Sequence, residues 1–272
     1  MTAIYRDMDQ TALDAGYNNT LAVSDSAALL QDFDERSAAL RIAYGEHLNL
    51  PYGPAPRNRI DYFAAEQPGP LLIFVHGGYW QMRAKETFSF LAAGPLAHGI
   101  HVAMVGYTLA PDATLSEIVA EVRTAIAWLK NNAAKFGGDT ERMVVSGWSA
   151  GGHLTAMCLD EAGVIGGVAI SGIYDLEPVR LSYLNEKLRL TDEEEAALSP
   201  LHLPLSAKPL TITYGTGELP ELQRQSEQYG EARRGLPCDV LPLPQHNHFT
   251  ILNELAAVDG AITRAVCKMA GI

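Results

Sequence analysis

Cysteine, positive charge and long apolar runs are all scarce in this chain. Its 272 residues include three cysteines, Cys158, Cys238 and Cys267, far apart and odd in number. Neither a disulfide framework nor a zinc cluster is written in that spacing. The 20 lysines and arginines stand against 32 aspartates and glutamates, a formal charge of -12, which argues against a nucleic-acid backbone or an anionic membrane as partner. No stretch approaches the roughly 20 apolar residues of a membrane span. The opening MTAIYRDMDQTALDAGYNN is polar and lacks an apolar h-region, so a cytoplasmic location is expected.

What the chain does have is material for a core. At 47% hydrophobic residues it can bury a sizeable α/β interior. Short apolar runs alternate with helix-period segments, the signature of strand–helix units around a mostly parallel sheet flanked by helices. Strands are expected over 59–63, 71–75, 101–106, 142–146, 166–171, 210–214 and 238–243. The clearest helix is 116–131: Thr114 and Glu117 fit a capping box, and Ile118, Val122, Ala125, Ile126 and Leu129 share a face. No linker or repeat divides the chain, so one domain over 1–272 is expected. Residues 1–55 read as an N-terminal helical extension, and 173–208, with a DEEEAA run and three prolines, as a lid-like helical insertion.

The strongest chemical signal is VVSGWSAGGHL, residues 144–154. Gly147-Trp148-Ser149-Ala150-Gly151 satisfies G-x-S-x-G between an expected strand and an expected helix, the context in which the motif presents a nucleophilic serine. A strand turning at once into a helix strains the serine backbone and leaves no room for side chains at the flanking positions. This points to an α/β-hydrolase fold with Ser149 as nucleophile.

A serine hydroxyl is a poor nucleophile unless a histidine takes its proton and an acid orients that histidine. In this fold acid and histidine follow the serine in that order. The loop QHNHFTIL after the last expected strand supplies His248, just before an apolar helix start, with His246 as the alternative. Glu218, past the strand LTITYG, takes the acid position. Asp175 in SGIYDLEP and Glu221 are its rivals, and Glu221 also reads as a first-turn residue favoured by the helix dipole. No further ligand follows the H-x-H pair at metal spacing, so no metal is expected.

FVHGGYWQ, residues 74–81, then has a reason. Attack on a carbonyl places negative charge on oxygen, and preorganised N–H donors must stabilise it. One is the amide of Ala150; Gly77 and Gly78 let a second turn approach with its N–H groups bare. Tyr79 and Trp80 are candidates for walls of the substrate pocket, with packing under the N-terminal extension as the other reading. Trp148 and Tyr174 are further pocket candidates. His76 reads as an anchor of this turn and His153 as a packed helix residue.

HGGYW, GWSAGGHL, SGIYDLEPV, GELPELQRQS and NHF together resemble the kynurenine formamidase (arylformamidase) group of α/β-hydrolases, related to hormone-sensitive-lipase-like esterases. The resemblance runs from about Tyr44 onward, and HGGYW is its most specific element. It implies Ser149, Glu218 and His248 as the triad, with one departure: the family's acid is aspartate, and here it is glutamate. It also implies a metal- and cofactor-independent hydrolase of a small ester or aryl formamide such as N-formylkynurenine. A general carboxylesterase of short-chain or aryl esters is the alternative, and a non-catalytic ligand-binding module the remote one. The oligomeric state is left open, a homodimer included.

Overall fold

Eight strands form one sheet in a computed structural model that describes residues 3–272. In chain order they are β1 (His47–Pro51), β2 (Arg59–Phe63), β3 (Gly69–Val75), β4 (His101–Val105), β5 (Gly138–Trp148), β6 (Val164–Ile170), β7 (Leu210–Gly215) and β8 (Cys238–Leu243). They lie side by side as β1-β2-β4-β3-β5-β6-β7-β8. β2 is antiparallel to both β1 and β4, and every other pairing is parallel.

The period-2 pattern of the central strands explains the layers. In β3, Leu71, Ile73 and Val75 face one core with Ile118, Val122 and Leu129 of the helix Leu115–Asn132. Leu72 and Phe74 face the other, with Phe33 of Ser26–Ala43 and Ile262 and Val266 of Ala261–Ala270. Helices on both faces are why β3 reads as an unbroken apolar run. The capping box is formed: Thr114 Oγ1 accepts from Glu117 N at 3.3 Å, and Glu117 Oε2 accepts from Thr114 N at 2.8 Å. β3, β5, β6, β7 and β8 run the same way, so the turns after them gather at one edge of the sheet, where open α/β sheets hold their ligands.

The N-terminal segment is helical as expected up to Ala43 but then adds a strand. The helices Gln10–Gly16, Asn19–Ala22 and Ser26–Ala43 are present, but β1 follows them as an edge strand. Five residues with Asn49 at φ 58 and a register irregularity between His47 and Leu50 carry too little alternation to read as a strand. Pairing with β2 is held instead from a distance: Asn49 N donates to Asp61 Oδ1 at 2.7 Å, and Lys85 Nζ donates to Asn49 Oδ1 at 2.8 Å. The segment 173–208 forms the helices Glu177–Leu181, Asn185–Leu188 and Asp192–Leu198. Among the described residues no helix is long and apolar enough to cross a membrane.

Asp61 is fully buried and pairs with Lys85, itself buried, at 2.9 Å and with Arg41. It joins the helix Ser26–Ala43 to β2 and to the chain leaving the HGGYW turn. Removing one partner of a buried pair strands the other charge, so Asp61→Ala is expected to lower unfolding free energy by about 3–5 kcal/mol. Removing the exposed Asp239–Lys268 pair, at 2.8 Å, is expected to cost less than about 1 kcal/mol. Urea unfolding of Asp61→Ala and Asp239→Ala measures the contrast.

Candidate active site

Ser149 follows β5 directly and precedes the helix Ala150–Met157, with φ 58 and ψ -118. A non-glycine residue in that region carries strain on the order of 1–3 kcal/mol, held here because neighbouring backbone packs around it. A Cβ on Gly147 would lie 2.3 Å from Gly151 O, and one on Gly151 would lie 1.9 Å from Val75 O. Both motif glycines are therefore required by contact. Ser149 N donates to Ile170 O of β6 at 2.8 Å, and the residue is 2% exposed. Ala150 is the first residue of its helix, where an N–H has no intrahelical acceptor.

The turn after β3 presses against this elbow. A Cβ on Gly77 would lie 2.6 Å from Trp148 O and 3.0 Å from Ser149 Cβ, so only glycine lets the two backbones meet. Gly78 has φ 113, and Tyr79 and Trp80 follow at φ 49 and 58. Gln81 N and Met82 N both donate to Gly78 O at 3.0 Å, closing a left-handed turn. The two rings offset that strain by burial. The Tyr79 hydroxyl donates to Tyr17 O at 2.6 Å and accepts from Asn19 Nδ2 at 2.8 Å. Burial, with Tyr183 and Glu218 nearby, pushes the Tyr79 phenol well above its ordinary range, so it stays a neutral donor.

His248 and Glu218 meet at the same edge. His248 Nδ1 lies 2.8 Å from Glu218 Oε2; facing a carboxylate, Nδ1 carries the proton and Nε2 is left as a base. Trp148 supports the ring from below, its Nε1 donating to His248 O at 2.8 Å and its ring centroid 4.7 Å from the imidazole. The rival residues point elsewhere. His246 Nε2 lies 3.4 Å from Glu254. Asp175 accepts from the Tyr5 hydroxyl at 3.0 Å, and Glu221 pairs with Arg224 at 2.5 Å. The two histidines of the H-x-H pair thus diverge, and no three His, Cys, Asp or Glu side chains converge as a metal-binding group among the described residues.

Residues 62–163 match the BD-FAE family model. A kynurenine formamidase of Salmo salar is 33% identical over 245 residues, covering 82% of each chain. The chain belongs to the kynurenine formamidase family. The family's protein from Danio rerio is 30% identical over 243 residues, again with 82% of each chain covered. A solved structure from Silicibacter sp. TM1040, named provisionally as a thioesterase, superposes with a TM-score of 0.85 at 30% identity, covering 93% of this chain and 98% of that one. This kynurenine formamidase family member is therefore a hydrolase of α/β-hydrolase fold.

Two expected pocket residues need correction in this family member. Trp80 is 0% exposed, its ring set edge-on to His153 at 5.0 Å. Tyr174 is also 0% exposed and stacks on Tyr229 at 4.3 Å. Both rings are core, because the left-handed turn sends Trp80 inward and Tyr174 folds back over Gly172, where a Cβ would lie 2.4 Å from its hydroxyl. Trp148 lies against His248, and the Tyr79 hydroxyl is held by Tyr17 and Asn19 of the N-terminal segment. Ser171 was not singled out by its sequence context, yet its hydroxyl donates to Glu218 Oε1 at 2.6 Å. A serine ending an apolar strand carries no local signal of such a partner.

His76 and His153 brace the site without reaching its open side. His76 Nδ1 donates to Gly77 O at 2.7 Å with its ring stacked on Tyr107 at 4.4 Å. His153 Nε2 donates to Leu198 O at 2.8 Å, tying the helix after Ser149 to the 173–208 segment. Burial pushes both imidazoles down to about 4. The unfolded chain takes up these protons near pH 6.5 and the folded chain only near pH 4, so stability is full above 6.5 and falls as pH drops through this window. Each histidine is expected to contribute a loss of about 3 kcal/mol by pH 4. His153→Gln should shrink the difference in urea stability between pH 7 and pH 4 by about that amount; an unchanged difference would contradict the burial argument.

Proposed function

We propose that this protein hydrolyses aryl formamides, N-formylkynurenine foremost, through a formyl-enzyme on Ser149. The observation that carries the reading is the contact between Gly77 and the serine elbow, beside the His248–Glu218 pair. It brings the bare backbone of the turn onto the elbow, as acyl transfer to a serine requires. The kynurenine formamidase name of the Salmo salar relative supports the same substrate.

In this mechanism Ser149 Oγ attacks the formyl carbon while its proton passes to His248 Nε2. The oxygen takes the negative charge and is held by the amide of Ala150 and by N–H groups of the Gly77–Gly78 turn, each donor worth about 3 kcal/mol in the transition state. His248 returns the proton to the departing aryl nitrogen, and the C–N bond breaks. Water then attacks the formyl ester, giving its proton to His248, and formate leaves as Ser149 is reprotonated. Glu218 holds the imidazole in the required tautomer and stabilises its cation.

The leaving group has an apolar exit. Leu21, Met82 and Tyr183 are among the exposed large apolar side chains, and they belong to segments that meet around Tyr79. The Tyr183 hydroxyl reaches Tyr17 O at 3.5 Å, and Gln81 Nε2 reaches Leu184 O at 3.3 Å. We assign the N-terminal segment and the 173–208 insertion as the cover over the aryl group, the insertion acting as a lid. Ester or thioester cleavage is the second reading, favoured by the thioesterase name of the Silicibacter protein.

Ser149→Ala is expected to lose at least about a thousandfold in turnover and all labelling by a fluorophosphonate probe, with an unchanged circular dichroism spectrum. Glu218→Gln is expected to lose about 10³- to 10⁴-fold in kcat, because a carboxamide cannot stabilise the imidazolium, while Asp175→Asn and Glu221→Gln stay within about tenfold. Substrate choice is read from kcat/KM on N-formylkynurenine and on p-nitrophenyl acetate, butyrate and octanoate. A steep decline with chain length and efficient deformylation are expected, each surplus methylene costing about 1–3 kcal/mol. A maximum at octanoate without deformylation would leave the ester reading alone.

A further inference from the structure

We propose that Ser171 is a positioning residue for the acid of the triad, holding the Glu218 carboxylate so that one oxygen is committed to His248. The proposal rests on the serine-hydrolase reading above and adds a fourth side chain to it.

Ser171 follows β6 and is fully buried. Its N–H donates to Thr213 O of β7 at 2.7 Å, so sheet pairing fixes its position. Its φ is 50, in the left-handed region where a serine is strained and a glycine is not. Glycine would be the relaxed choice at this position. What serine adds is the hydroxyl, and the hydroxyl has a defined partner: it donates to Glu218 Oε1 at 2.6 Å, 47 residues further along the chain. The short distance is that of an O–H donating to a carboxylate.

The second donor to Oε1 is Gly215 N at 2.7 Å, and Glu218 N in turn donates to Gly215 O at 3.1 Å. The glutamate thus closes its own turn at the end of β7, a span that uses its extra methylene relative to aspartate. With Oε1 occupied from two directions, Oε2 is turned to His248 Nδ1 at 2.8 Å. The Glu218 side chain is buried, so these donors replace the water that would otherwise solvate its charge. Without the Ser171 hydroxyl, one donor and one rotational restraint are lost, and the carboxylate is free to turn off the imidazole.

Ser171→Ala and Ser171→Gly separate positioning from stability, because glycine removes the hydroxyl and the backbone strain together. Both variants are expected to melt within about 5 °C of wild type. Both should lose about 10- to 30-fold in kcat with KM changed less than about threefold, the size of one hydrogen bond to a charge. Fluorophosphonate labelling of Ser149 should slow in parallel. In proton NMR the His248 Nδ1–H resonance is expected far downfield in wild type and should move upfield or broaden in both variants. Retention of kcat within about twofold with an unmoved resonance would overturn the proposal, as would a rate loss in the alanine variant that tracks lost stability and is absent in glycine. Failure of the hydrolase reading looks different: wild-type Ser149 would not label, while the Nδ1–H resonance would still report whether Ser171 holds the pair.

Discussion

The contact on which the rest depends is between two pieces of bare backbone. Val75 O, at the end of β3, sits where a side chain on Gly151 would have to be, and Gly77 meets Ser149 and Trp148 with no atom to spare. Parallel pairing of β3 with β5, Val75 opposite Gly147, brings these ends level. Close approach there holds Ser149 in a strained conformation and brings the bare backbone of the HGGYW turn against it. Interiors transmit strain because they are close-packed, and a single Cβ at any of these glycines would force the turn and the elbow apart.

The second constraint is electrostatic. A carboxylate and an imidazole are held in a site where Ser149 is 2% and His248 3% exposed, and such groups are tolerable only when every polar atom has a partner. Glu218 meets that condition with donors from Ser171 just after β6, from its own turn and from His248. The result is orientation as well as solvation, because the donors arrive from fixed directions on the sheet. The histidines that are not so partnered, His76 and His153, are held neutral by burial and serve as braces.

The N-terminal segment gains its place through this site. Its carbonyl at Tyr17 and amide at Asn19 hold the Tyr79 hydroxyl, Asp14 accepts from Tyr183 N at 2.8 Å, and Gln10 Nε2 donates to Leu181 O at 3.1 Å. These bonds link the start of the chain to the HGGYW turn and to the 173–208 insertion. Segments far apart in sequence are thus tied to one another around Tyr79.

Much of this was legible from the residues themselves. The apolar runs located the parallel strands, since a strand buried on both faces must be apolar throughout, and the Thr114–Glu117 box marked its helix because capping is a local interaction. G-x-S-x-G located the elbow for the same reason: its glycines answer a steric demand within five residues. Pairing decided the rest. β1 exists because Asp61 and Lys85 hold Asn49, a long-range polar contact invisible in HLNLP. Trp80 and Tyr174 left the pocket for the core because consecutive left-handed residues and a neighbouring glycine turned them inward. Ser171 met Glu218 only through the order of β6 and β7 in the sheet. Local sequence determines what can be strained, capped or buried; which distant partner fills each position depends on strand order and register, and these emerge only when the whole sheet is assembled.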